Sequence, residues 1–131
     1  MKTDAAIKTD VYKVIKDSPL HKAVTGKLKK TKRPHNSTKE DIVISVLANV
    51  NAQIQIATVN VNIYVADNIV DNQPEEDTVR TAELGQLAAE LFEVFSGENY
   101  RATLLSQNVL EIDGTNEHVI NNRIEYKFLN E

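Results

Sequence analysis

The stretch AQIQIATVNVNIYVAD, residues 52–67, constrains the fold more than any other part of the chain. Successive side chains of a strand point to opposite faces, so sustained period-two alternation specifies a long strand with one face in a core and the other outside it. Val59, Val61, Ile63 and Val65 share one face, while Thr58, Asn60, Asn62 and Tyr64 share the other. Ile54 and Ile56 fall on the opposite phase to the valines. A one-residue change of phase is what a β-bulge or sharp bend produces, so one is expected between Ile56 and Val59.

A strand of this kind needs partners, and the chain offers several. Ile42, Ile44 and Val46 recur at period two; Ser37 and Glu40 just before them have capping-box spacing, but the β-branched run favours a strand. YRATLLSQNVLEI and HVINNRIEYKF read as two more strands around a turn at Asp113-Gly114. In the second, Ile120, Ile124, Tyr126 and Phe128 lie on one face and Arg123, Glu125 and Lys127 on the other. KLKKTKRP, residues 27–34, has no helical stripe and ends in a proline, which bars a helix or a central strand; it reads as an edge strand leading into a polar basic loop around residues 32–40.

Two helical signals complete the pattern. Ile7, Val11 and Ile15 predict an amphipathic helix ending near Asp17; Ser18-Pro19 then caps a short second helix, with Gly26 placed as its left-handed C-terminal residue. Leu84, Leu87, Ala88, Leu91, Phe92 and Phe95 form the clearest apolar stripe, with Glu83, Gln86, Glu90 and Glu93 on the other side. Glu75, Glu76 and Asp77 sit at its positive end, and Ser96-Gly97 is expected to terminate it. Gly85 inside it weakens the helix by about 1 kcal/mol relative to alanine, which implies close packing against a sheet. Val61, Ile63, Leu87 and Leu91 are expected in one core. The order α-α-β-β-β-α-β-β predicts an α+β fold in one domain spanning residues 1–131, an antiparallel sheet with helices packed on one face.

Composition narrows the function classes. The 131 residues include no cysteine, which excludes disulfides, thiolate metal sites and a cysteine nucleophile. Apolar runs are too short for a spanning helix, and the acidic residues of MKTDAAIKTD replace the apolar segment an export signal needs, so synthesis inside the cell is expected, without a membrane partner. The net charge of -4 conceals a split: residues 1–40 hold eleven Lys and Arg against four Asp and Glu (+7), whereas residues 41–131 hold four against fifteen (-11). A surface that attracts what the rest repels suits head-to-tail association or a charged partner.

Catalytic signatures are missing from the sequence. His21, His35 and His118 are far apart and lack the i, i+4 pairing of a helical zinc site; the four glycines form no phosphate loop, and no serine stands in a nucleophile elbow. No metal or cofactor is expected. Glu40 and Asp41, as strand neighbours, face opposite ways and read as a solvated strand entrance. Lys27, Lys29, Lys30, Lys32 and Arg33 are candidates to face a partner or DNA, but the run has no aromatic residue on which bases could stack, and the chain is acidic overall. Asn60, Asn62 and Tyr64 are candidate subunit contacts, because amides and a phenol are adaptable hydrogen-bonding groups on the outer face of a sheet.

RPHNSTKEDIVISVLA, then VNVNIYVAD followed by an acidic loop and helix, resembles phage and prophage proteins of the tail-terminator or tail-completion type. VYKVIKDSPLHKAVTGKL at the start and RIEYKFL at the end extend the likeness over most of the chain. The resemblance implies an α+β subunit of a homo-oligomeric ring, commonly a hexamer, which stops tail-tube growth and offers the surface to which the head joins. Its partners would be other copies, the tail-tube protein and a head connector protein, with DNA only as passing cargo. It implies no reaction, and a location in the host cytoplasm during assembly and in the virion tail afterwards. The basic loop would project toward a partner and stay mobile until assembly. The alternative is a small nucleic-acid-binding or regulatory module that uses the basic segment 27–33.

Overall fold

The computed structural model describes residues 1–130. Helix α1 (Asp4–Ile15) begins at Thr3, whose side chain accepts from the Ala6 N–H, and α2 (Pro19–Ala23) begins at Ser18, whose hydroxyl accepts from the His21 N–H. Both starts follow the rule that a side-chain oxygen satisfies an otherwise unpaired first-turn donor. Short strand β1 (Leu28–Lys30) and the long strands β2 (Ile42–Val50) and β3 (Ile54–Ala66) follow. A small hairpin of β4 (Asn68–Val70) and β5 (Gln73–Glu75) leads to α3 (Thr78–Phe92), and β6 (Val94–Gly97), β7 (Tyr100–Glu111) and β8 (Glu117–Leu129) complete the chain.

Six strands form one sheet in the order β1-β2-β3-β8-β7-β6, antiparallel except for the parallel pair β1 and β2. All three helices contribute to a single core on one face, so the architecture is α+β with helices packed on one side of a mostly antiparallel sheet. Ile7, Val11 and Ile15 of α1 and Leu84, Ala88 and Phe92 of α3 are buried against Ile42, Ile44, Val59, Val61, Ile63, Ile120, Ile124 and Tyr126. Leu87 and Leu91, expected at the centre with Val61 and Ile63, are only half-buried at its margin. Gly85 is buried where a Cβ would come 3.1 Å from Gln107 Oε1, as its place in the helix implied. The Gln107 amide donates to the Gly85 carbonyl and to Asn122 Oδ1, and Asn122 donates to the Val61 carbonyl, which satisfies the amides at this contact.

Several details differ from the sequence expectations. Strand β3 has no bulge: its register with β8 is unbroken from Ile54 opposite Leu129 to Ala66 opposite Glu117. The irregularities lie in its neighbours, where Leu47 of β2 and Leu105 of β7 drop out of register and stand exposed. Ile54 and Ile56 therefore keep the phase of Asn60 and Asn62, outside the core, while Gln55 and Ala57 point inward. Helix α3 stops at Phe92 rather than at Ser96-Gly97, and Phe95 belongs to β6. Helix and strand geometry both send Phe95 inward, so apolar spacing could not separate them. Asp71 and Asn72 both adopt positive φ, as the tight turn of the β4–β5 hairpin requires. Gly26 is not left-handed; a Cβ there would collide with the Asp41 carboxylate and the Glu40 backbone, so close approach is what requires glycine. No helix among the described residues is long and apolar enough to cross a membrane.

Candidate functional site

The outer face of the sheet, opposite the helices, has a covered end and a bare end. At the covered end, residues 31–41 leave β1, cross the face and return to β2. Arg33 anchors this loop: its Nε donates to Asp41 Oδ2 at 2.8 Å, its terminal nitrogens donate to both Glu117 oxygens at 2.9 and 2.6 Å, and one also donates to the Lys39 carbonyl at 2.7 Å. The guanidinium lies 4.1 Å from the ring centroid of Tyr64. Planar charge over an aromatic face, with forked hydrogen bonds to carboxylates, is an arrangement lysine cannot reproduce. Val119, directly opposite Tyr64, and Val43 on the same face are buried.

Asp41 is the second half of this anchor. Its side chain is 1% exposed and also accepts from the Lys27 N–H at 2.8 Å and the Ser37 hydroxyl at 2.5 Å. Burial pushes the carboxyl up, but the hydrogen bonds from Ser37, Arg33 and Lys27 together outweigh it and hold Asp41 below the ordinary carboxylate range. Arg33 is held above its ordinary value, chiefly by its hydrogen bonds to Glu117 against the opposing effect of burial. Glu40, facing the other way, forms a two-pronged pair with Arg80 of α3, both contacts at 2.7 Å, and Arg80 also donates to the Ala23 carbonyl. The adjacent carboxylates are thus separate structural ties, not the solvated strand entrance expected from the sequence.

These contacts redistribute the sequence candidates. Arg33, a candidate to face a partner, is engaged within the chain, and Tyr64, a candidate subunit contact, lies beneath it. The loop expected to be mobile is tied at Arg33, Ser37 and Lys39. Lys30 turns toward α1, with its ammonium 2.9 Å from Thr9 Oγ1 and 5.2 Å from the Tyr12 ring centroid. Lys27, Lys29 and Lys32 are exposed, and among the described residues none has a carboxylate partner. Asn60 and Asn62 are half-buried at mid-face, where Asn121 Nδ2 donates to Asn62 Oδ1 at 2.7 Å and lies 3.4 Å from Asn60 Oδ1.

The bare end is apolar. Val50 of β2 stands directly opposite Ile56 of β3, and Ile54 directly opposite Leu129 of β8. The four side chains are 62%, 40%, 55% and 54% exposed, respectively. They are adjacent on the outer face and rimmed by the exposed bases Arg101 and Lys127. Contiguous exposed apolar side chains with a polar rim mark an interaction surface more strongly than isolated ones. The sequence carries this signal as the phase change at Ile54 and Ile56, which alternation alone does not distinguish from a bulge or sharp bend.

Other polar constellations lie inside the fold. Tyr126 is fully buried, donates to Asp10 Oδ2 at 2.6 Å and stacks on Tyr100 at 4.7 Å between centroids. Burial first, then the bond to Asp10, raises its phenol well above the usual range. Lys2 pairs with the same carboxylate and lies over the Tyr100, Tyr126 and Phe128 rings, latching the first residues to the sheet. His118 Nδ1 is 2.6 Å from Asp67 Oδ1. Among the described residues no three acidic or histidine side chains are placed to hold a metal. No protein-family model matches the chain, and no curated protein matches it.

Proposed function

We propose that the chain is a structural ring subunit of a phage or prophage tail, which caps the tail tube and forms the surface where the head joins. The observation that carries this reading is the bare apolar end of the outer face, Val50, Ile54, Ile56 and Leu129. Other copies surround the axis, and the bare end lies where strands β2 and β3 turn, so it can meet a partner stacked along the axis, the tail-tube protein or the head connector protein. The half-buried amides at Asn60 and Asn62 suit a contact that forms late and stays wet, because their hydrogen bonds are partly satisfied before any partner arrives. In this reading the protein assembles in the host cytoplasm and ends in the virion tail.

The reading in which the basic segment binds nucleic acid keeps Lys27, Lys29, Lys30 and Lys32 as exposed cations without a carboxylate partner among the described residues, and phosphate contacts from them would give weak, salt-dependent affinity. Mass photometry and negative-stain electron microscopy separate the two, with the protein alone and mixed with its tail-tube protein. Closed particles of several copies, bound at the end of the tube, are expected. A monomer in every mixture that instead binds DNA tightly at low salt would overturn the ring reading.

A further inference from the structure

The two edges of the six-stranded sheet carry opposite charge. One edge is β1, with exposed Lys27 and Lys29, Lys30 at its end and Lys32 just beyond. The carboxylates that follow the loop, Glu40 and Asp41, are already held by Arg80 and Arg33, so they leave this edge basic. The other edge is β6, preceded by exposed Glu90 and Glu93 and followed by exposed Glu98. Arg101, opposite Ser96, is the only basic residue of the adjoining strand β7. Val94 stands half exposed on the outer face of β6, and on its helix side a shallow groove of about 290 Å³ is lined by Gln86, Ala89, Glu90, Glu93 and Leu104.

Strand direction adds an independent constraint. Strand β1 is parallel to β2, and the steps β2–β3, β3–β8, β8–β7 and β7–β6 are all antiparallel, so β1 and β6 run in the same direction. A rotation about an axis along the strands therefore brings β6 of one copy beside β1 of the next in parallel. Short, charged edges ordinarily deter strand addition. Here the charges deter like from like: β1 against β1 sets lysine against lysine, and β6 against β6 sets glutamate against glutamate. Only β1 against β6 is complementary, and such a heterologous contact closes into a ring or continues as a filament.

We propose that copies of this chain join edge to edge, β1 of one beside β6 of the next, so that their sheets form one continuous band. The proposal rests on the ring reading above and specifies its subunit contact. The Lys29 stem lies on the same outer face as Val94, and the ammonium groups along β1 face the glutamates that flank β6.

The chain contains no cysteine, so cross-linking has a clean background. Lys29→Cys combined with Ser96→Cys, and Lys29→Cys with Val94→Cys to cover the neighbouring register, place one thiol on each edge at exposed positions that share the outer face. Oxidation of the assembled protein, alone and with the tail-tube protein, is expected to give a ladder of covalent oligomers from at least one double variant. Each single-cysteine variant should remain monomeric on a denaturing gel. Cross-linking yield should fall several-fold between low salt and about 0.5 M salt as the exposed charges are screened. Rings that form while neither double variant yields a ladder would overturn the edge contact and leave the ring reading standing. Covalent dimers from a single-cysteine variant would also overturn it, by showing like edges together. A chain that stays monomeric at every concentration and with the tube protein would overturn both.

Discussion

The two ends of the outer sheet face are built from the same strands and finished in different ways. At one end Val43 and Val119 are buried, and the Arg33 loop, fastened to Asp41 and Glu117 and laid over Tyr64, supplies the cover. At the other end Val50, Ile54, Ile56 and Leu129 occupy equivalent outward positions and stay exposed, because no segment among the described residues covers them. The chain has thus sealed one apolar stretch of its outer face with an ion-paired loop and left another open. In the function proposed above, a second molecule covers that open stretch.

The largest effect that distinguishes the faces should come from the core side. Phe92→Ala, beneath α3 and fully buried, is expected to cost about 3–5 kcal/mol by urea denaturation, whereas Ile54→Ala on the bare end should stay within about 0.5 kcal/mol. Equal losses would mean that the bare end is packed in the free subunit.

Next in size is the fastening of the covered end. Arg33→Ala leaves Asp41 buried without its cation and is expected to cost about 3 kcal/mol, the low end for breaking a buried ion pair. Arg33→Lys should rescue little of it, since a single ammonium cannot satisfy Asp41, Glu117 and the Tyr64 ring together. Limited proteolysis should leave residues 31–41 intact in the wild type and cut there in Arg33→Ala. Rapid cleavage of the wild-type loop would contradict the anchoring.

A smaller effect follows from the depressed Asp41 carboxyl. Its contribution to stability is fully present above the unfolded aspartate value, about 4, and is lost as pH falls through the lower folded value. Asp41→Asn should therefore lower stability at neutral pH and flatten its decline below about pH 4, read from denaturation midpoints across that range. An acid limb identical to that of the wild type would show that other carboxylates control it. The smallest change is expected from Asn60→Ala at mid-face, within about 0.5 kcal/mol in the free subunit.

The inner face was legible in the sequence because a core imposes its period on every element that touches it. The stripe of Ile7, Val11 and Ile15, the alternation from Val59 to Val65 and the partition of Ile124 and Tyr126 from Arg123 and Glu125 all stand where the spacing put them. Strand β6 was hidden because Phe95 faces inward under either geometry. The role of Arg33 was hidden for a different reason: its partner Glu117 lies 84 residues away, and within a run of lysines nothing local distinguishes an inward arginine. The bare end was visible as a break in alternation, but a break reads equally as a bulge or as apolar residues facing out, and only the register with β8 separates the two.

Co-sedimentation with the tail-tube protein tests most directly whether the bare end is a docking surface. The comparison is between the wild type and an Ile54→Asp, Ile56→Asp double variant whose denaturant midpoint matches the wild type. The wild type is expected to pellet with assembled tubes and the variant to remain in the supernatant. A variant that pellets as completely as the wild type would contradict a docking role for the bare end.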